Sequence, residues 1–219
     1  MIYLNPQNHT YYDDQKNIYT SVTTLLNQIF PFDQTQIIEQ VIQNPRSKYY
    51  KWPKQKILNH WKERAEEGTK LHKACEDYIN SKIIPENEYA PLIKQFSKLA
   101  FKGQLISEHI VGDKDYLLAG TIDILEQLND VYWIWDIKTN ANIDDDKLMK
   151  YSIQLDLYRR FAAKTYGKKV LIGGIIYFEN LFFKKEKAKL KVFRVHNVQP
   201  TVDHILKERQ QNLKKLNLI

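Results

Sequence analysis

Residues 117–140 read LLAGTIDILEQLNDVYWIWDIKTN, two runs rich in Ile, Leu, Val and Trp that meet at Asn129-Asp130. A two-residue loop of residue types that tolerate positive φ predicts a tight β-hairpin, and a tight hairpin fixes strand register. With Leu128 opposite Val131, the ladder brings Asp123 directly across from Asp136, their Cβ atoms about 5 Å apart. Lys138 falls on the same face as Asp136, because side chains alternate along a strand. Leu118, Ile122, Ile124, Trp133, Trp135 and Ile137 are expected on the opposite face, packed on a helix. The hairpin thus buries one face and concentrates charge at one end of the other.

The flanking pattern supplies the helices. SVTTLLNQIF (21–30) reads as a short helix capped by Ser or Thr and limited by Pro31. The next 20 or so residues are mixed and polar and receive no element. From 54 to 82, Ile57, Trp61, Leu71, Ala74, Cys75 and Tyr78 recur at helical spacing, with Gly68 a candidate break into two helices. Another helix is expected over 89–101. Three strands follow, at 104–111, 116–125 and 131–139, as a meander with short polar turns. After the acidic DDDK, 148–166 reads as a helix ending at Gly167. Strands over 170–178 and 189–196 and an amphipathic helix over 201–216 close an α/β (α+β) order.

At 219 residues, 43% hydrophobic, the chain is long enough for one domain, 1–219, with its own core. The net charge of +7 favours an anionic partner, nucleic acid first, although a merely basic protein fits the charge equally well. Cys75 is the only cysteine, which excludes an internal disulfide, a CxxC zinc site and a four-cysteine iron–sulfur cluster, and suggests a reducing compartment. The first 15 residues lack a basic region followed by an apolar run, and the longest apolar stretch, 170–183, is broken by Glu179 and Asn180. The expectation is a cytoplasmic protein without a membrane partner.

Two carboxylates as close as Asp123 and Asp136, partly shielded from water, repel, so one takes a proton or a cation sits between them. Oxygen ligands select a hard ion such as Mg²⁺ or Mn²⁺. An ordinary surface ion pair of either aspartate with Lys138 fits the hairpin alone as well. Two further pairs stand at i and i+4, His72 with Glu76 and Gln154 with Tyr158, each also readable as a plain helix-surface or core-edge pair.

Taken in order, GTKLH (68–72), GTIDIL (120–125), DIKT (136–139) and QLDLY (154–158) resemble the motifs of the PD-(D/E)XK nuclease superfamily. Within it they look like the RecB-like exonucleases, which include phage and mitochondrial genome maintenance exonucleases. The resemblance covers 68–161, and SVTTLL near the start is similar as well. It implies a restriction-endonuclease-like core, a central mixed sheet flanked by helices in αβββαβ order, with an N-terminal helical, DNA-contacting extension (1–67), a catalytic core (68–183) and a C-terminal strand and helix (184–219). It also implies that His72, Asp123, Asp136 and the Ile137 backbone carbonyl ligate the metal, and that Lys138 is the catalytic lysine. Gln154 and Tyr158 would brace the site or contact the scissile strand. Glu108 lies where several relatives keep an acidic residue, and ranks below the others; Glu76 ranks lower still. Iron–sulfur relatives carry four cysteines that this chain lacks, and no GxxxxGK[ST] helicase loop is present, so a stand-alone nuclease is implied.

NPRSKYYKWPKQKILNHWKER (44–64) interleaves basic and aromatic residues. Lys48, Tyr49, Tyr50, Lys51 and Trp52, with Thr139 beside the DIK motif, are the candidate DNA contacts, charge for phosphates and rings for bases. The rings could equally be core and the lysines merely solvated. KKEKAKLK (184–191) reads as a basic hairpin turn. The function expected is a metal-dependent DNA exonuclease acting at ends or in single strands, in replication, recombination or repair. The alternatives are a restriction or structure-specific endonuclease on the same core and an inactive DNA-binding module, the latter opposed by the intact Asp123, Asp136 and Lys138.

Overall fold

The meander expected after residue 104 forms the middle of the sheet. The computed structural model describes residues 1–139, 142–179, 181 and 188–218. Its elements run β1 (Ile2–Asn5), β2 (Thr10–Asp13), β3 (Ile18–Ser21), α1 (Val22–Ile29), α2 (Gln34–Gln43), α3 (Lys54–Ser81) and α4 (Ala90–Phe96). Then come β4 (Gln104–Asp113), β5 (Leu118–Leu128), β6 (Val131–Lys138), α5 (Asp145–Tyr166), β7 (Lys169–Glu179), β8 (Lys189–Phe193) and α6 (Gln199–Lys215). The sheet has eight strands in the order β1-β2-β3-β5-β6-β7-β8, with β4 also on β5. It is mixed: β3 joins β5 and β6 joins β7 in parallel, and the remaining pairs are antiparallel.

The hairpin has the expected register from Leu128–Val131 to Ile124–Trp135, but the rung expected to set Asp123 directly across from Asp136 does not form. Beyond that point the strands part. β4 takes one edge of β5 along its length; the other edge is shared, 124–128 by β6 and 118–119 by β3. Gly120 to Asp123 lie in the fork between them.

Helices cover both faces. Leu118, Ile122, Leu125 and Ile134 pack under α5, α1 and α6 with Leu26, Phe161 and Val202. Ile124, Trp135 and Ile137 pack beneath α3 and α4 with Leu71, Leu92 and Phe96. The single apolar face expected of the hairpin is therefore divided: Leu118 and Ile122 side with α5, Ile124 and Ile137 with α3, and Trp133 is half-buried in neither cluster. Alternation breaks between Ile122 and Ile124, at the fork, and both faces need apolar residues because both are covered.

Local signals explain most boundaries. Ser21 caps α1 by accepting from the Thr24 amide. Asp144 caps α5 by accepting from the Lys147 amide, so the helix starts before residue 148, and Gly167 ends it in the left-handed conformation. Gly68 does not break α3, which runs unbroken for 28 residues. A Cβ there would meet Thr139 Oγ1 at 2.5 Å, so the missing side chain lets the helix approach the end of β6.

The N-terminal part differs most from expectation. It is not only helical: β1, β2 and β3 extend the sheet, each a strand of four residues. Strands that short show too little alternation to read. α2 was also unexpected; Asp33 caps it, but only Ile38 is buried along its polar length. α4 stops at Phe96 instead of reaching 101. Of the basic turn expected over 184–191, residues 184–187 lie outside the described residues, and 189–191 belong to β8. No helix among the described residues is long and apolar enough to cross a membrane.

Gly120 is the second close approach. An added Cβ would meet the Tyr158 ring at 2.5 Å and its hydroxyl at 2.6 Å. Gly120→Ala is expected to destabilise the protein by about 1–3 kcal/mol through overpacking, as read by urea unfolding. An unchanged midpoint would contradict this packing.

Candidate active site

The fork in β5 opens onto a cleft of about 530 Å³. α3 forms one side with Ala65, Gly68, Thr69, His72, Lys73 and Glu76, a stripe at three- and four-residue spacing. Glu108, Thr121, Asp123, Asp136, Lys138 and Thr139 form the floor, and Gln154 and Tyr158 reach in from α5. Leu4, His9, Tyr11 and Thr23 line it from the N-terminal strands and α1.

Asp123 holds the fork open. Its Oδ2 accepts the Ile137 amide hydrogen at 2.6 Å, so a side chain serves β6 where a main-chain carbonyl otherwise would. The β4–β5 ladder skips the same level, passing from Ser107–Ile124 to His109–Ile122. Glu108, left out, has φ 51°, a left-handed conformation uncommon for a residue with a Cβ. Glu108, Asp123 and His72 each present one ligand atom, all within 4.8 Å of one another. His72 Nδ1 is 3.7 Å from Asp123 Oδ2.

Asp136 is engaged differently. It is buried, 3% exposed, and Lys138 Nζ donates to its Oδ1 at 2.9 Å. The same ammonium lies 2.8 Å from Oδ2 without the geometry of a hydrogen bond, and that oxygen is buried with no donor among the described residues. Lys138 Nζ also lies 3.4 Å from Gln154 Oε1 and 4.6 Å from the centre of the Tyr151 ring. Gln154 Nε2 donates to the Tyr158 hydroxyl at 3.2 Å, continuing the chain of contacts into the core.

The electrostatics follow from crowding. Burial lowers His72 below its ordinary pKa and Lys138 adds to this, while Asp123 and the Ile137 backbone oppose it; a neutral imidazole results, the form that binds metal. Glu108 is exposed as a residue, but desolvation at its carboxyl, then the charges of Asp123 and Glu76, push it up to about 7. Burial raises Asp136, with Lys138 opposing and Asp123 reinforcing. Burial alone would lower Lys138, yet Asp136 and Asp123 raise it on balance. Of the two tendencies in this pair we retain the charged lysine, because two carboxylates act on it and a hydrogen bond joins it to one of them. Burial also lifts the Tyr158 phenol well above its ordinary range.

A neutral imidazole and two carboxylates within 4.8 Å of one another suit a hard divalent cation, which would relieve the repulsion of the carboxylates. The compact group differs from the expected one in membership. Glu108, ranked below the others in the sequence, belongs to it; Asp136 is set apart by Lys138.

All of His72, Glu108, Asp123, Asp136, Lys138, Thr139, Gln154 and Tyr158 face one cleft. The candidate DNA contacts at 48–52 do not line it; they lie between α2 and α3. Tyr49 is corrected as an exposed stacking platform: it is buried with Ile38 and Ile57, where Trp52 and Trp61 also pack. Tyr50 remains exposed, as does Lys51, whose Nζ is 5.0 Å from its ring. Glu76 pairs with Lys73 at 3.0 Å. Sequence reasoning missed Thr121 and Tyr11, joined by a 2.9 Å hydrogen bond in the cleft floor. Alternation from Asp123 could have found Thr121; nothing in the sequence marks Tyr11.

Asp123→Ala removes the acceptor for the Ile137 amide, whereas Asp123→Asn retains an oxygen there. The alanine variant is expected to be less stable than the asparagine variant by about 1–3 kcal/mol in urea unfolding. Equal stabilities would show that this hydrogen bond does not hold the fork.

Comparison with curated proteins gave no match. The family model of the PD-(D/E)XK nuclease superfamily matches residues 33–217. That span takes in the cleft floor, α3 and α5 and leaves outside only β1, β2, β3 and α1 among the elements. A match over most of the chain, on a mixed sheet flanked by helices with an acidic cluster and a lysine at its fork, shows that the chain belongs to the PD-(D/E)XK nuclease superfamily.

Proposed function

We propose that this protein is a metal-dependent DNA exonuclease of the RecB-like branch, hydrolysing phosphodiester bonds at DNA ends or in single strands during replication, recombination or repair. Superfamily membership supports a metal-dependent nuclease acting on DNA. The order GTKLH, GTIDIL, DIKT, QLDLY supports the branch. The observation that carries the reading is the group of His72, Glu108 and Asp123, whose ligand atoms lie within 4.8 Å of one another, beside the buried Asp136–Lys138 pair.

In this reading His72, Glu108, Asp123, Asp136 and the Ile137 carbonyl hold Mg²⁺ or Mn²⁺. The ion, when bound, neutralises phosphate charge and lowers the pKa of a coordinated water. Lys138 keeps its proton and presents a cation to the phosphate as negative charge develops, preorganised by Asp136 and Gln154. Tyr158 steadies Gln154 through its hydroxyl, and Gly120 gives that ring its room. Thr139 ends the floor against α3. Tyr50, Lys51 and Lys48 are suited to a flanking strand, at a distance from the chemistry. The single cysteine is buried and free, in keeping with a reducing, cytoplasmic setting.

The test is end-labelled linear, circular and single-stranded DNA incubated with Mg²⁺. Linear and single-stranded substrates with ends should be degraded and circles spared; cleavage of circles would favour an endonuclease instead. Lys138→Ala should lower kcat by roughly 10²–10³-fold, the scale of losing one preorganised donor. Cleavage that survives both Lys138→Ala and Asp136→Ala would refute this assignment of the site.

Metal binding should also depend on pH. The folded chain holds the Glu108 proton to about 7, against an ordinary 4.5, so the metal-free fold has this stabilisation below the lower value and loses it as pH rises through the upper one. Divalent metal competes with that proton. The rise in Tm on adding Mg²⁺ or Mn²⁺ is expected to be larger at about pH 8 than at about pH 5, and the difference smaller in Glu108→Gln.

A further inference from the structure

The family match begins at residue 33, yet the cleft has a wall from before it. β1 and β2 pair with Leu4 directly across from Tyr11, and both side chains face the cleft. Tyr11 is buried, 3% exposed, and its hydroxyl bonds Thr121 at 2.9 Å, two residues before Asp123 on β5. That contact fastens the hairpin to the floor. His9, two residues before Tyr11 and on the same side, is exposed, with its ring edge-on to the Tyr11 ring at 5.9 Å. Its φ of 53° places it in the left-handed region at the end of the turn.

The two sides of the cleft differ in chemistry. The floor and α3 side carry carboxylates, His72, Lys73 and Lys138; the N-terminal wall offers Leu4, His9, Tyr11 and Thr23, without an acid or a lysine. A nucleotide has the same division, a charged phosphate and a flat, uncharged base. With its phosphate at the floor, its base meets the aromatic wall, and the exposed ring on that wall is His9.

Resting on the nuclease reading above, we infer that the N-terminal hairpin is part of the substrate site and that the His9 ring stacks on a nucleobase flanking the scissile phosphate. Tyr11 is the positioning residue beneath it. Stacking needs a planar ring and not a titrating one, which separates this role from proton transfer.

The experiment measures kcat and KM with Mg²⁺ on a single-stranded oligonucleotide, for the wild type, His9→Ala and His9→Phe. It is repeated on oligonucleotides made abasic at one flanking position at a time. His9→Ala should raise KM roughly five- to a hundredfold with little change in kcat, and His9→Phe should restore most of the loss. With the partner base removed, wild type and His9→Ala should become equal. The inference is overturned by an unchanged KM, by a fall in kcat that phenylalanine does not restore, or by a deficit that persists on every abasic substrate. A wild type that cuts no DNA overturns the nuclease reading and this inference with it, whereas an active enzyme indifferent to His9 overturns this inference alone.

Discussion

One hydrogen bond decides the shape of the site: the Ile137 amide given to the carboxylate of Asp123. An antiparallel hairpin that kept its main-chain ladder would leave no opening between β5 and β6. By taking the amide on a side chain, Asp123 ends the ladder at Ile124–Trp135 without leaving a buried donor unsatisfied. β6 then continues along β7, pairing as far as Lys138–Tyr177, while β5 is met further back by β3. Everything in the cleft floor stands in the space this divergence creates. The same carboxylate is also within 4.8 Å of ligand atoms of His72 and Glu108, so the group that opens the sheet also belongs to the candidate metal cluster.

Such a cluster costs stability in the absence of a counter-charge. Asp136 is buried and Asp123 adds to its repulsion, with Lys138 the nearest compensation. Lys138 bonds one Asp136 oxygen at 2.9 Å and lies 2.8 Å from the other, so a single ammonium serves the whole carboxylate. A fold optimised for stability alone would place apolar residues here, as it does one step away at Ile137 and Ile124. The persistence of buried charge beside a fully apolar layer points to a use for it.

How much could be read in advance follows from what is local. The Asn129-Asp130 turn carried the hairpin register over five paired levels, because turn chemistry and side-chain period act within a few residues of each other. Asp123, Asp136, Lys138 and the helical pairs His72–Glu76 and Gln154–Tyr158 were accessible for the same reason, each set lying within one element or one hairpin. The failure at Ile122 is instructive. Alternation assigns it to the face of Ile124, but the ladder gap at Asp123, opposite the left-handed Glu108, intervenes, and such a break leaves no trace in a hydrophobic pattern. Glu108 was undervalued because its place depends on a positive φ that a glutamate does not advertise. Tyr49 was misjudged because a ring among lysines reads the same whether it lies above or below the surface.

The N-terminal strands were illegible for a different reason, and it bears on how the site is put together. β3 pairs with β5 across nearly 100 residues of chain, at Thr20–Leu118 and Ser21–Ala119. Contacts that distant depend on the whole sheet existing first, so their stability comes from packing and not from local preference. Gly120 sits next to that junction, admitting the Tyr158 ring, and Thr121 beyond it shares a hydrogen bond with the Tyr11 hydroxyl. In four consecutive residues, Gly120 to Asp123, β5 therefore accommodates α5, anchors the N-terminal wall, fills the α5-side core with Ile122 and supplies the central carboxylate. The floor and the wall of the cleft cannot shift independently, because successive side chains of one short segment fasten both.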